Sequence, residues 1–572
     1  MPWLAAPLWP QSLSLPHSLA QAALLWPRAL PPAHPLVPAA LIWPQPLRPA
    51  HTLGLSALVA VIPLIVVLVL MGGLRKSGLL SSACGLGTAA ALAIFVWRMP
   101  VTLASWSVIY GCIYALWSIM WIVFAALWLY NLTVTTGNFD LLRRWMAHHA
   151  SGDACIQAIL VAFCLGALIE GTAGFGAPVA ITAFLLVGLG FTPRRAILLS
   201  LIADTAPVAF GALGIPIVAL AGVTGLDLMK LSAMEGRQLP FLSALLPAYL
   251  VWIVARGKGL KRTWPAIVVA GVSFALAQFF VSNYWGPWAA DIIAALASIA
   301  ALVFFLRFWK PRGAGNAAAQ VDASIEAPIS TAQSFAAWLP WILLSAVMVF
   351  WSYAKLFQKG QITFAIPHLH NAVLITLYGK AYAAKYAFQP LATGTAAVFA
   401  TVLTAICLRV RPRVVAECGW KTLRQLRVPG LTVLVIVALA YLYNYSGMAY
   451  TLGDAASRAG AFFPVLSSYL GWMACFLSGS DTASNLLFGN LQVAAAHQLH
   501  LNPMLLAATN SSGAITGKMI SPQNIAVGVT TVGLIGEEGR VLRSTFWHSI
   551  FLAALIALLA LAQAHWLAWM VP

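Results

Sequence analysis

Residues 168–181 read Leu-Ile-Glu-Gly-Thr-Ala-Gly-Phe-Gly-Ala-Pro-Val-Ala-Ile, so that Glu170, Gly171, Gly174, Gly176 and Pro178 interrupt an otherwise apolar run. A helix facing lipid would exclude each of these features. Non-helical backbone at membrane depth has to be buried in protein or line a water-filled cavity. An ionisable group at that depth marks a functional site.

The surrounding chain has 572 residues, 61% of them hydrophobic and 8% charged. A soluble domain cannot hide that much apolar surface, so the composition specifies an all-α polytopic membrane protein. Strand alternation is absent, which argues against an outer-membrane barrel. The formal net charge of +18 would suggest nucleic acid in a soluble protein. Here the Lys and Arg residues collect in short loops and set topology instead, and no nucleic-acid partner is expected. Cys84, Cys112, Cys155, Cys164, Cys407, Cys418 and Cys475 form no Cys-x-x-Cys pair and are odd in number. Small core residues are the better reading than a disulfide framework or a zinc site. His148-His149, beside Arg143 and Arg144, reads as a solvated loop end. No metal and no cofactor is expected.

Residues 1–53 form a Pro/Trp-rich N-terminal extension. Trp9-Pro10, Trp26-Pro27 and Trp43-Pro44 recur at a 17-residue interval, and so do His17, His34 and His51. The prolines forbid a continuous helix, and no basic start precedes an apolar core, so it is not a signal peptide. Two readings compete: an interfacial arm, since Trp favours the membrane interface, or a dispensable extension. The second is preferred.

Apolar spans follow at about 55–74, 78–97, 103–130, 196–222, 239–255, 264–281, 289–306, 335–351, 391–408, 429–445, 503–535 and 545–570. That is about 12 transmembrane helices, each suited to a hydrocarbon core of about 30 Å. Two further broken, re-entrant hairpins lie within 154–190 and 462–498. The first transmembrane half is then 54–306 and the second 335–572, joined by a cytoplasmic loop at 307–334. Most of the 32 basic residues fall on one side, in clusters at 75–76, 143–144, 194–195, 256–262, 307–312, 409–427 and 540–543. That side is assigned to the cytoplasm, which places both termini and the polar 352–390 stretch outside.

The residues that break the apolar pattern recur. Glu170 to Pro178 is followed by Asp204 to Pro216; Ser478 to Asn485 is followed by Asn510 to Pro522. When Asp204 is aligned with Asn510, Thr205 meets Ser511, Gly211 meets Gly517 and Pro216 meets Pro522. Loop charge sends the first hairpin in from the cytoplasm and the second from outside. That is an inverted repeat, and in transporters the site lies where the broken helices of the two halves meet.

Broken helices present free N–H groups to a small anion. Gly171, Gly174, Gly176, Gly479 and Gly513 allow close backbone approach. Thr172, Ser480, Thr482, Ser484, Asn485, Asn510, Ser511, Ser512 and Thr516 add hydroxyl and amide partners. Lys518 is the one basic residue placed within a span. It needs a partner: Asp481, Glu170, Asp204 or a substrate carboxylate. Glu170, Asp204 and Asp481 suggest ion coupling, because burial and like charge both favour a protonated carboxyl. Glu170, flanked by Leu168 and Ile169, is the foremost proton site; Asp481, among hydroxyls, suits an ionised state.

The stretches Glu170-Gly-Thr-Ala-Gly-Phe-Gly-Ala-Pro-Val-Ala-Ile, Thr205-Ala-Pro-Val-Ala-Phe-Gly-Ala-Leu-Gly-Ile-Pro, Gly236-Arg-Gln-Leu-Pro240, Gly479-Ser-Asp-Thr-Ala-Ser-Asn and Thr516-Gly-Lys-Met-Ile-Ser-Pro-Gln resemble the lactate permease family, in order, from about Trp43 to Pro572. The resemblance implies a bacterial inner-membrane symporter that moves L-lactate, D-lactate or glycolate with a proton, and distant kinship with the ion-transporter superfamily. Two positions depart from the usual pattern: Asp204 stands where Asn is frequent, and Thr172 where Ala is common. Residues 1–42 lie outside it.

The expected function is proton-coupled symport of a small 2-hydroxymonocarboxylate. The partners are that anion, the proton, membrane lipid and, for an oligomer, a second copy. The proton-coupling candidates are Glu170, Asp481 and Asp204. The substrate-binding candidates are Gly171, Thr172, Gly174, Ser480, Thr482, Asn485, Asn510, Ser511, Ser512, Thr516 and Lys518. Sodium coupling through unwound carbonyls and Asn485 or Asn510 is the alternative. An enzyme is disfavoured because no Ser/His/Asp set, metal cluster or nucleotide loop lies at membrane depth. A channel is disfavoured because the polar positions fall in two clusters.

Overall fold

The computed structural model describes residues 42–74, 76–149, 153–174, 176–311 and 330–572. The Trp-Pro repeats before residue 42 and most of the 307–334 loop lie outside them.

The described chain is helical almost throughout. The first half runs α1 (Leu53–Leu68), α2 (Gly78–Phe95), α3 (Val101–Tyr114), a wide π-helical turn, α4 (Trp121–Thr135), α5 (Asn138–His149), α6 (Ala154–Gln157), a second π-helical stretch and α7 (Gly166–Thr172). It continues with α8 (Ala177–Gly188), α9 (Pro193–Ala203), α10 (Gly211–Thr224), α11 (Leu228–Glu235), α12 (Leu239–Tyr284) and α13 (Ala290–Phe308). The second half runs α14 (Thr331–Tyr353), α15 (Thr393–Cys407), α16 (Pro412–Gln425), α17 (Arg427–Ser446), α18 (Met448–Ala456) and α19 (Phe463–Ser478). It ends with α20 (Asp481–Gln498), α21 (Pro503–Lys518), α22 (Pro522–Thr531) and α23 (Glu538–His565). His148 and His149 close α5 instead of lying in a loop, and His149 stacks on Trp145 one turn earlier.

Among the described residues, 10 helices are long and apolar enough to cross a membrane, or 11 if the bent pair α9–α10 counts as one. Breaks and one short helix remove four of the twelve expected spans, and the ten include Ala154–Thr172 and Met448–Ser478, which hold the first arms of the two expected hairpins. The spans at 239–255 and 264–281 are the two arms of α12, which bends at Arg256 (φ 53°, ψ −154°), the first of the charged residues at 256–262. The span at 391–408 is α15, only 15 residues long, short of the ~30 Å core at 1.5 Å per residue. The span at 503–535 is two helices, because Ser521 caps α22 by accepting from Asn524 N.

Both hairpins are present. The first turns at residues 173–176, with Gly174 (φ 57°) and Gly176 (φ 81°) left-handed and Pro178 in the first turn of α8. The second turns at Gly479 (φ 69°), with Ser480 as the N-cap of α20. Each is followed by a second break. Ala212, Leu213 and Gly214 leave the helical region inside α10, so regular helix resumes at Ile215-Pro216. After α21 it resumes at Pro522. The two aligned prolines thus open corresponding half-helices, as proline's fixed φ and missing N–H favour.

The burial pattern is inside-out. Leu58, Phe95, Trp264, Phe308 and Trp547 are exposed, while Glu170, Asp204, Glu235, Asp291, Asp481, Asn510 and Lys518 are buried. A lipid solvent rewards the first set, and protein partners have to satisfy the second. The second hairpin is pressed against the helix that follows it: a Cβ on Gly513 would lie 2.1 Å from Ser468 O. Gly513 therefore serves helix–helix approach between α21 and α19 and not approach to a ligand.

The 352–390 stretch folds into a cap. It holds β2 (Ile362–Ala365), β3 (Val373–Ile375), β4 (Lys380–Ala381) and β5 (Lys385–Phe388). β2 pairs antiparallel with β5, and β3 with β4. The strand Trp43–Pro44 adds to β3 in parallel. Gln45, fully buried, donates to Asn444 O and Tyr445 O at 2.9 Å, carbonyls in the last turn of α17, where a helix runs out of its own donors. Residues 43–53 are thus built into the fold.

Candidate functional site

The site is assembled from helix ends. Glu170 lies near the C-terminal end of α7, Asp204 caps the C-terminus of α9, and Lys518 is the last residue of α21. The Lys518 ammonium lies 2.7 Å from Glu170 Oε1 and 3.0 Å from Asp204 Oδ2, and all three side chains are about 5% exposed. One cation is shared by two carboxyls. Glu170 Oε2 and Asp204 Oδ1 have no hydrogen-bond partner among the described residues. Close packing enforces the arrangement, since a Cβ on Gly211 would meet Glu170 Oε1 at 2.6 Å.

From the opposite hairpin, Asp481 sits in the first turn of α20, and Ser511 Oγ donates to its Oδ2 at 2.9 Å. Asp481 makes no ion pair with Lys518 within 4.0 Å, so of the partners considered for that lysine Glu170 and Asp204 are the two in contact. The first-turn N–H groups of α20, which a helix leaves without internal acceptors, begin at the same place. Ser480 Oγ takes one of them, from Ala483.

Glu170, Ser480, Asp481 and Lys518 face a cavity of about 390 Å³, and Asp204 and Ser511 stand behind its wall. Its deep end is formed by Glu170, Gly174, Ser480, Asp481, Thr482 and Lys518; Gly479, Gln523 and Asn524 join them. Met71, Gly78, Val428 and Thr432 line it too, close in sequence to the basic clusters at 75–76 and 409–427, the side expected to be cytoplasmic. A second cavity of about 390 Å³ lies under the outer cap, lined by Tyr110, Tyr114, Tyr382, Tyr386, Tyr441 and Tyr445. The same helices serve both. On α10, Ala212 to Pro216 line the inner cavity and Val218 to Gly225 the outer. On α17, Val428 to Ile436 line the inner and Tyr441 to Tyr445 the outer. Ile119, Ile215 and Ile436 line the first cavity, and Ile122 and Val218 line the second.

Several expected contact residues stand behind the cavity wall. Gly171 packs against Asp291 and Ile292 of α13. Thr172 donates to Leu168 O and Ile169 O of its own helix, and Thr516 to Gly513 O. Asn485 donates to Pro216 O and accepts from Asn510, which accepts from Gln492. Ser511 serves Asp481, and Ser512 turns toward Glu235 and Gln238. Their polar atoms are spent holding broken helices together, which spacing alone does not reveal.

A profile of the L-lactate permease family matches residues 56–567. The chain belongs to the L-lactate permease family. It is 43% identical to glycolate permease GlcA of Escherichia coli (strain K12) over 89% of this chain and 95% of that one. It is 40% identical to an L-lactate permease of Salmonella typhimurium over 90% and 97%, and 41% identical to one of Bacillus subtilis over 90% and 96%. These bacterial relatives are named as permeases, and with the apolar helices above they identify a multi-pass protein of a bacterial inner membrane.

Two buried carboxyls were not legible in the sequence. Glu235 closes α11 and is fully buried. Asp291 opens α13, is 1% exposed and accepts from Gln278 at 3.0 Å. Glu235 precedes the quoted Gly236 motif, but it borders an apparent loop, and Asp291 follows Gly286-Pro287, a break that reads as the loop before a span. Gln523 and Asn524 were also missed; their signal was Pro522, which starts a helix.

Proposed function

We propose that this protein is a secondary active transporter that moves a small 2-hydroxymonocarboxylate anion together with a proton. L-lactate is the leading substrate, with D-lactate and glycolate beside it. The observation that carries the reading is Lys518, a single buried cation held between Glu170 and Asp204 in the wall of a cavity. While both carboxyls are ionised, Lys518 is fully engaged. A proton on Glu170 removes one competitor, and the ammonium can then turn to the substrate carboxylate. Anion and proton therefore bind together, and their joint passage moves no net charge.

The first turn of α20 supplies the remaining recognition. Gly479 brings backbone close, the N–H groups of Asp481 and Thr482 suit a carboxylate oxygen, and Ser480 and Thr482 offer hydroxyls to the 2-hydroxyl group. Gly174 faces them from the first hairpin. Asp204 keeps Lys518 charged and in place, and Asp481 with Ser511 sets the far wall. Asn485, Asn510, Ser512 and Thr516 hold the broken helices in register. Each transmembrane half contributes one hairpin, and a rocking of one half against the other would close the inner cavity and open the outer one.

The test is uptake of labelled lactate and glycolate into proteoliposomes, with and without an inward proton gradient, in sodium-free buffer. Gradient-driven accumulation is expected. Uptake that needs sodium, or that ignores the gradient, overturns proton coupling.

A further inference from the structure

We propose that Glu235 is a second proton-binding site, closed off from the cavity and connected to Asp481 through Ser511, on which the coupled proton rests while the cavity holds its anion. The inference builds on the proton-symport reading and adds a named station to it.

Glu235 is 0% exposed. Among the described residues it makes no ion pair within 4.0 Å with any Lys, Arg or His. Arg237, two residues on, gives its guanidinium to Asn283 Oδ1 and Met570 O. Lys518, on the same helix as Ser512, is engaged by Glu170 and Asp204. The charged group that acts on it is Asp481 on α20, a like charge. An ionised carboxylate in such surroundings is strongly disfavoured.

The hydrogen bonds lead to the same protonation state. Ser512 Oγ lies within hydrogen-bond distance of three acceptors: Glu235 Oε2 at 2.7 Å, Gln238 Oε1 and Ala508 O. A hydroxyl carries one proton and can donate only once. The orientation of Gln238 is fixed, because its amide nitrogen serves Thr509 Oγ1 and Gln563 Oε1. The conflict disappears if Glu235 carries a proton and donates it to Ser512 Oγ, leaving Ser512 to donate to Gln238. Glu235 Oε1 has no hydrogen-bond partner among the described residues, and Ser511 is the second hydroxyl beside this carboxyl.

Ser511 completes the connection, because its hydroxyl donates to Asp481 Oδ2 while also facing Glu235. Once the Glu235 acid turns its proton from Ser512 toward Ser511, that proton can pass to Ser511 Oγ as Ser511 gives its own proton to Asp481. The result is an ionised Glu235 and a protonated Asp481, with the serine unchanged. Asp481 lines the cavity and Glu235 does not, so the step moves a proton between a sealed acid and one that meets the substrate. Acid and hydroxyl chains of this kind serve proton relays in other pumps and transporters.

The test uses the full-length protein in proteoliposomes. Glu235→Gln keeps the shape of the protonated acid and removes its exchangeable proton. Lactate–lactate exchange at equal pH should stay within about twofold of wild type, while the ~10-fold accumulation that one pH unit sustains should be lost. Glu235→Asp, which keeps an acid, should restore part of the accumulation. Full accumulation by Glu235→Gln overturns the proposal. Loss of exchange in both variants assigns Glu235 a structural role and overturns it too. A wild-type protein that ignores the gradient instead overturns the symport reading itself.

Discussion

Glu170→Gln tests the competition for Lys518 directly. The amide is nearly isosteric with the acid but cannot ionise, so it imitates a permanently protonated Glu170. The lost interaction is a charge-assisted contact of 2.7 Å between groups about 5% exposed, a class that contributes about 1.5–3 kcal/mol. Asp204, 3.0 Å from the same ammonium, keeps Lys518 from becoming an unpaired buried charge. The destabilisation therefore stays below the ~3–5 kcal/mol of a buried pair broken outright. The freed ammonium should hold the substrate carboxylate more tightly, and a gain of ~1.4 kcal/mol is tenfold in affinity. In proteoliposomes, exchange should show a lower KM, and its dependence on pH should flatten. Accumulation driven by a proton gradient and the accompanying alkalinisation of the medium should disappear. Wild-type uptake should instead fall as external pH rises, because fewer Glu170 carboxyls are protonated to release Lys518. A Glu170→Gln protein that keeps full accumulation and alkalinisation refutes the competition.

Lys518→Ala leaves Glu170 and Asp204 facing each other without a cation. Uptake should be abolished and the melting temperature in detergent lowered, at a cost of ~3–5 kcal/mol for the unpaired buried charge; intact uptake would end the anion-binding role. Gly513→Ala forces the backbones of α21 and α19 apart, since the new Cβ would meet Ser468 O at 2.1 Å. A loss of about 1–3 kcal/mol is expected from such overpacking, checked by thermal unfolding in detergent, and an unchanged melting temperature would contradict the packing. At the protein surface, Arg194 grips Glu537 through two hydrogen bonds of 2.6 and 2.8 Å, which hold the Glu537 carboxyl below its ordinary value. The contribution of that pair is thus present at neutral pH and is lost as pH falls through the lowered value. Glu537→Gln should lower the melting temperature slightly at neutral pH and leave it unchanged in acid.

The amino-acid sequence determined the solvent of this protein and the places where its helices break. Apolar runs of membrane-spanning length admit little but helix, because hydrocarbon offers the backbone no hydrogen bonds. Gly174, Gly176, Pro178 and Gly479 marked the turns of both hairpins, since left-handed backbone and missing N–H groups are written in residue type. Glu170, Asp481 and Lys518 were legible for a related reason: an ionisable side chain in an apolar run is too costly to be accidental.

Only the tertiary structure decided which of those groups meet. Lys518 chose Glu170 and Asp204 over Asp481, a matter of side-chain reach across helices more than 300 positions apart in the chain. Asn485, Asn510 and Ser512 carry the same chemical signature as Ser480 and Thr482, yet they face neighbouring helices while the latter face the cavity. Which side of a helix turns inward is set by packing, and an all-apolar helix gives no amphipathic stripe from which to read it. The same blindness hid Glu235 and Asp291. The stretch at 168–181 announced a broken helix with a carboxyl beside it; the meeting of α7, α9 and α21 around one ammonium, with α20 across the cavity, turned that carboxyl into a competitor for a lysine.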